Sequence, residues 1–407
     1  MIRSISKTAL TFAFAAVITC LLDAAPKGPA YDGIRSMGMG NTTVAVTTDR
    51  TAIFHNPAGL SLLQDDLQVS LAPVIMSFFG NITDYIDFVG EHGDKLDDIN
   101  QIDTTFIQDL SSLDGQWIGL DYFPEFTVAT KNLGFGFYSV WPVALSGETG
   151  HLVPKFNIRG QQDLVLTWAV GVPLKHENNL FGISMEYVRR APVENHITKY
   201  SDTHRISQDF DQNVLSSLGI LGDLADIQHG VSFDVGFMHN IKGFRLAYAL
   251  KDFFAVVGGK VVVPQLDLGG AYYFPFTQEI EIIRSLIVAL EISDIWGFEP
   301  VSKKYEHFAK KLHAGAEIDF TYLALRGGIN QGYPTFGVGA MLGPLSLNYV
   351  YFTEELGYFP GQRPNSRHVF SAGLSLNIKV RKGFYSSPEE SAPTQTVPAE
   401  NTPEQQR

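Results

Sequence analysis

Seven ionisable residues in this chain, Glu186, Asp234, Arg245, Asp267, Glu291, Glu317 and Arg326, sit between apolar neighbours at every second position. Such spacing puts them together on the polar side of β-strands. Two carboxylates meeting there would have the chemistry of a glycosidase. The stronger reading makes them hydrated or paired residues of a barrel lumen, which such an interior accommodates routinely. Other reactive groupings do not assemble. Gly258-Gly259-Lys260 lacks the upstream glycine and the Ser/Thr of a phosphate loop, so it reads as a plain loop. His196 and His204 lie in a polar stretch at a spacing that matches no metal motif. No Gly-x-Ser-x-Gly elbow occurs. Cys20 is the single cysteine, within an apolar leader, and Thr19 before it is a poor lipidation signal. No catalytic residue, cofactor or metal centre is expected.

The elements that must carry these residues are strands. Phe370, Ala372, Leu374, Leu376 and Ile378 alternate with Ser371, Gly373, Ser375 and Asn377. Leu286 to Ser293, Leu312 to Asp319 and Phe244 to Lys251 alternate in the same way. Similar runs near 67–79, 122–131, 133–142, 161–173, 179–190, 230–239, 264–275, 322–329, 333–342 and 344–354 bring the total to about fourteen, many near the length that crosses a bilayer when tilted. The links between them sort by length. Short ones follow the even strands, for example Asn132, Asn240 to Lys242 and Gly343-Pro344. Long ones (80–121, 143–160, 191–229, 251–263, 295–307, 355–366) follow the odd strands, and only Gln331-Gly332 breaks the rule. Alternating short turns and long loops mark an outer-membrane barrel, whereas a soluble sandwich has no reason to sort its loops by side. The expected fold is therefore an all-β, transmembrane, antiparallel up-and-down barrel of about fourteen strands.

Composition agrees. The 407 residues are 45% hydrophobic, with 38 Gly, 29 Phe and 16 Tyr, and the mean hydropathy is +0.02. That is too polar for a helical bundle in lipid and right for strands with one lipid face and one lumen face. A net charge of -13 gives no electrostatic reason to expect nucleic acid. Met1 to Ala30 reads as a signal peptide, with Arg3 and Lys7 ahead of a short apolar core. Residues 66–383 would form the barrel, and the Ser/Pro/Glu/Thr/Gln-rich 384–407 a disordered periplasmic tail. Two long loops carry helical patterning: Ile82, Tyr85, Ile86 and Val89 with Ile102, Phe106, Ile107 and Leu110, and separately Val214 to Leu224. Their apolar faces could pack over the rim or offer apolar ligands a landing site.

An even strand count leaves both termini on the short-turn side, so residues 31–65 can fold back into the barrel mouth. Gly33 to Leu60 is Gly-rich, apolar and weakly periodic, and closes on Asn56-Pro57-Ala58-Gly59. Pro57 disfavours the α region at Asn56, and Gly59 permits a positive φ, which predicts a fixed bend. The apolar residues from Val44 to Leu60 predict an apolar pocket beside this segment.

This segment resembles the N-terminal region of the outer-membrane transport family that includes the long-chain fatty acid transporters. Gly33, Arg35, Gly38, Met39, Gly40, Ala45, Asp49, Ala52, Asn56, Pro57, Ala58, Gly59 and Leu60 match its pattern, with Asn41 where a glycine is usual. Gly259-Lys260-Val261, Gly269 to Tyr272, Leu323 to Gly328 and Leu347-Asn348-Tyr349 look like its barrel stretches. The resemblance implies a hatch inside the barrel, with Gly38, Met39, Gly40, Asn56, Pro57, Ala58 and Gly59 as hatch or gating residues. It also implies passive uptake of hydrophobic small molecules, which bind outside, reach a pocket near the hatch and leave sideways through the wall into outer-membrane lipid. Length and loops resemble the branch found in spirochaetes and the Bacteroidetes group, which includes a shuttle of type IX secretion. A closed barrel holding a periplasmic or secretion partner is the alternative.

Overall fold

The structure is a computed structural model that describes residues 31, 33–80, 82–95, 103–113, 117–148, 155–175, 178–199, 227–275, 282–296, 298–299, 304–305 and 307–379. Residues 1–30, expected as a signal peptide, the Val214 to Leu224 stripe, His204 and residues 384–407, expected as a tail, lie outside the described residues.

Alternation does produce strands. Fourteen close the barrel: β1 Leu67–Phe79; β2 in two pieces, Ile118–Tyr122 and Glu125–Thr130; β3 Leu133–Glu148; β4 Lys155–Pro173; β5 Asn179–Lys199; β6 Gln228–Ile241; β7 Phe244–Lys251; β8 Gln265–Tyr273; β9 Ile283–Ile292; β10 Leu312–Phe320; β11 Leu323–Asn330; β12 Tyr333–Leu342; β13 Leu345–Glu355; and β14 Pro364–Ile378. Each pairs antiparallel with its sequence neighbours, and β1 closes on β14 from Leu67↔Ile378 to Phe79↔Arg367. Strands β3, β4 and β5 run farther toward the long-loop end than their apolar alternation extends, which shortens the loops expected at 143–160 and 191–229. Backbone pairing continues there without an apolar face to announce it.

The two faces of the wall separate cleanly. Leu246, Val288, Leu290, Phe370, Leu374 and Leu376 point outward and are exposed, whereas Ala247, Ala249, Ala289, Glu291 and Ser375 point inward and are buried. An apolar exterior exposed along strand after strand is the inverse of a soluble protein's surface and suits a wall that faces lipid. No described helix is long and apolar enough to cross a membrane.

One part of the wall is irregular. The β1–β14 register shifts between Leu71 and Val74, at Ala72-Pro73. Across β1, Phe123-Pro124 separates the two pieces of β2. Two prolines facing each other remove two ladder donors at one height. Phe123 N–H still reaches Ile75 O at 3.0 Å.

Inside lies the N-terminal segment: α1 Ile34–Gly38, α2 Ala52–His55 and a 3-10 turn Pro57–Leu62. It forms no core of its own. Ile53, Phe54 and Leu60 pack with Ala129, Tyr138, Val165 and Val188 of the wall. Met39, Val44 and Ala58 pack with Leu180, Met238, Ala271 and Ile287. The first long loop holds α3 Ile82–His92 and α4 Thr104–Ser112. The expected apolar face there divides: Tyr85, Phe88, Phe106 and Leu110 are buried together, while Ile86, Val89 and Ile107 face out.

Candidate functional site

The plug begins where Gly33, in extended backbone, accepts from the Ser36 hydroxyl at 2.7 Å and starts α1. It stops at Met39 because Gly40 and Asn41 turn left-handed, with φ of 65° and 64°. Asn tolerates that region nearly as glycine does, which explains how Asn41 can stand where a glycine is usual. Asp49 then accepts from Thr51 N–H at 2.8 Å and launches α2. Asn56 is extended, with φ −153° and ψ 100°, as Pro57 requires.

The residues expected to form a hatch are brought together against the wall. The Thr335 hydroxyl donates to Gly38 O at 3.3 Å, and its oxygen accepts from Gly40 N–H at 3.0 Å. Gly40 O lies 3.1 Å from His313 Nδ1. Met39 is fully buried. The Asn56 amide donates to Val44 O at 3.0 Å and to Phe237 O of β6 at 3.3 Å, and its Oδ1 accepts from Ala58 N–H at 3.2 Å. A single carboxamide thus ties plug to plug and plug to wall. Gly59 departs from expectation: it has no positive φ, and is needed because a Cβ there would sit 2.1 Å from Thr47 O. Close approach, not a bend, selects glycine at this position.

The wall meets the plug with glycines of its own. A Cβ at Gly182 would lie 2.2 Å from Ala58 N, at Gly236 2.0 Å from Asn56 Oδ1, and at Gly315 2.1 Å from Met39 O. Gly134, Gly171, Gly269 and Gly328 face Ile53, Pro57 O, Val44 and Gly40 N at 2.3 to 2.7 Å. At Gly171, Gly182, Gly315 and Gly328 wall backbone lies on plug backbone, and at Gly134, Gly236 and Gly269 the missing Cβ makes room for a plug side chain.

The strand ionisables complete the attachment. Glu317 is gripped by Arg35 (Nη2–Oε1 2.6 Å, Nε–Oε2 2.9 Å) and by Arg326 Nε at 2.8 Å. Arg35 also reaches Asp49 at 3.2 Å. Burial would raise the Asp49 carboxyl, but Arg35 and Arg50 outweigh it and hold the group below its ordinary value. Glu291 accepts from Thr43 N–H (2.6 Å), the Thr43 hydroxyl (2.9 Å) and Val44 N–H (2.9 Å). Arg245 donates to Ala45 O at 3.1 Å. Asp267 pairs with Lys251 at 2.9 Å. Asp234 accepts from Asp252 N–H at 2.8 Å, and the Thr167 hydroxyl reaches Glu186 at 3.4 Å. Each carboxylate is thus engaged by hydrogen bonds or cations, several of them supplied by the plug. Burial, and then the charge of Lys251, push the plug imidazole of His55 down to about 3.

Beneath the plug, at the short-turn end, is a cavity of about 530 Å³. Its boundary includes Arg35, Asp49 and Arg50 from the plug, Glu125, Arg284 and Asp319 from the wall, and Ala72, Ile75 and Phe123 at the irregular place. This ionic vestibule is not the apolar pocket expected from Val44 to Leu60. Val44, Ala45, Ala52, Ile53, Phe54, Ala58 and Leu60 are instead consumed in packing against the wall. Tyr31 donates to Glu125 across the vestibule edge, and its ring lies tilted by 39° against Phe54 with the centroids 4.3 Å apart. Tyr31, Glu125, Thr335 and His313 carried no signal in the sequence, because each gains its role only through a partner on a distant strand. Gly258 and Gly259, both at positive φ, turn a short ladder between Val256–Val257 and Lys260–Val261, so the stretch is a loop as expected. Among the described residues, ligand atoms close enough for one cation occur at Glu91, His92 and Asp109. There His92 Nε2 meets Asp109 at 2.7 Å and clamps α3 to α4.

Together, strands and plug define a transmembrane fourteen-strand barrel closed by its own N-terminal segment. No family model matches the chain, and no curated protein matches it. Among solved structures it is similar to the Pseudomonas putida toluene transporter TodX, with a TM-score of 0.48 and 14% identity over 86% of this chain and 99% of the other. The Ralstonia pickettii toluene transporter TbuX gives 0.47 and 14% over 85% and 98%. The CymD monoaromatic hydrocarbon channel gives 0.42 and 11% over 86% and 98%.

Proposed function

We propose that the chain is a passive outer-membrane channel for hydrophobic small molecules, with residues 31–65 as its hatch. The observation that carries this reading is the plug itself. The plug packs directly on the wall's glycines and apolar side chains, and the wall is irregular at Pro73 and Phe123-Pro124 beside a vestibule. A hydrophobic solute gains from such an arrangement, because an outlet in the wall returns it to lipid without crossing water. The hatch residues Gly38 to Gly40 and Asn56 to Gly59 would set how far the plug yields. Long-chain fatty acids are the finer candidate for cargo.

The test compares flux of a labelled fatty acid and of a labelled monoaromatic hydrocarbon into proteoliposomes, with a sugar as control. The intact chain should pass an apolar probe and exclude the sugar, whereas deletion of residues 31–60 should admit the sugar as well. Absence of apolar flux through the intact chain would overturn the transport reading and leave the closed barrel with a secretion partner.

A further inference from the structure

The outward face of β5 and β6 records where the bilayer begins and ends. Asn179 and His239 are paired across the strands and hydrogen-bond at the short-turn end. Above them, in register, come Phe181/Phe237, Ile183/Val235, Met185/Phe233 and Tyr187/Val231, and then Arg189/His229. Ten residues separate Asn179 from Arg189, about 33 Å of strand, or about 25 Å along the axis at a tilt of roughly 40°. That is the height of the apolar band of an outer-membrane barrel. Arg189 and His229 therefore stand at the upper edge of the band, on the side of the long loops.

Their surroundings are one-sided. The next residue, Arg190, points inward and is paired with Asp163 at 2.7 Å. Arg189 points outward, where its cross-strand neighbours are Leu164 and His229, and among the described residues it has no carboxylate partner. The nearby acids Asp163, Glu186, Asp234 and Asp252 are all turned inward and buried. His229 Nδ1 is engaged by the Tyr187 hydroxyl at 2.6 Å. With the hydroxyl as donor, the imidazole hydrogen is left on Nε2. A guanidinium and an imidazole N–H then stand side by side at the membrane edge, all donors and no acceptors.

We propose that Arg189 and His229 hold the phosphate of an outer-leaflet lipid headgroup against the outside of the wall. A phosphate supplies only acceptors and binds a guanidinium through paired, charge-assisted hydrogen bonds. The apolar rows of Phe181 to Met185 and Phe233 to Phe237 run directly below and receive the acyl chains. The site is separate from the hatch and depends only on the chain being an outer-membrane barrel.

Full-length protein, folded in maltoside micelles, is tested for retention of diphosphoryl lipid A by native mass spectrometry, with dephosphorylated lipid A as the matched probe. The double variant Arg189→Gln/His229→Gln should retain diphosphoryl lipid A about tenfold less well. Arg189→Lys should lose less, and Lys131→Gln, in a short turn, should lose nothing. Faster migration of unboiled protein on a gel checks that each variant is folded. Equal retention by the double variant, equal retention of the dephosphorylated probe, or displacement of the lipid by inorganic phosphate would each overturn the proposal.

Discussion

Asn56 of the plug and Gly236 of strand β6 touch so closely that a single added carbon would collide: a Cβ at 236 would stand 2.0 Å from Asn56 Oδ1. The same carboxamide donates to Phe237 O, so it can neither rotate away nor be pushed aside without losing that bond. Gly236→Ala should therefore destabilise the plug by about 1–3 kcal/mol, as overpacking does. Accelerated proteolysis within residues 33–63 of the membrane-inserted protein, with the barrel still folded on a gel, is the measurement. An unchanged rate would mean that the plug is loosely held.

Glu317 is shared by Arg35 and Arg326. Removing it leaves Arg35 with Asp49 but strands the Arg326 guanidinium beside the Asn348 amide oxygen, so Glu317→Ala should cost about 3–5 kcal/mol. Arg326→Met/Glu317→Met should be milder than Glu317→Met alone, because the double change also removes the stranded charge. A double-mutant cycle on the urea midpoint gives the coupling directly.

The His55 imidazole has its folded pKa lowered to about 3. Its neutral form is favoured in the fold, so the plug's stability is fully present above the ordinary value near 6.5 and is lost as pH falls from there toward 3. In that window one proton is bound by the open state alone, giving a slope of about 1.4 kcal/mol per pH unit. Asp49, also lowered, adds to the loss only at more acidic pH, below its ordinary value. Hydrogen exchange of residues 33–63 between pH 7 and 5 should show progressive opening, and His55→Phe should flatten it.

Val288 lies mid-strand on β9 and is 41% exposed on the outer wall. If that surface is lipid-covered, Val288→Arg should cost about 2–4 kcal/mol in vesicle folding. The same substitution at Lys260, exposed in a long loop, should be neutral.

Much of the wall was legible because alternation is a local property. Phe244 to Lys251 and Leu312 to Asp319 each state their two faces within eight residues, and the structure keeps both assignments. Asn56-Pro57 was legible for the same reason, since proline acts on the residue before it. The attachment of the plug was not. Gly182, Gly236 and Gly315 look like ordinary strand glycines until Ala58, Asn56 and Met39 are placed against them, and those partners are more than a hundred residues away. An apolar pocket was expected because Val44 to Leu60 could line space, whereas in the fold those side chains pack against the wall.

The glycines of the wall also dictate an order of events during assembly. The plug precedes the barrel in the chain, but its packing partners lie on strands from β1 to β14, and its own elements share no core without them. Its shape depends on partners made after it. The surface it is fitted to is complete only once the last strand has paired with the first. Residues 33–63 come early in the chain, yet the contacts that define them are supplied latest.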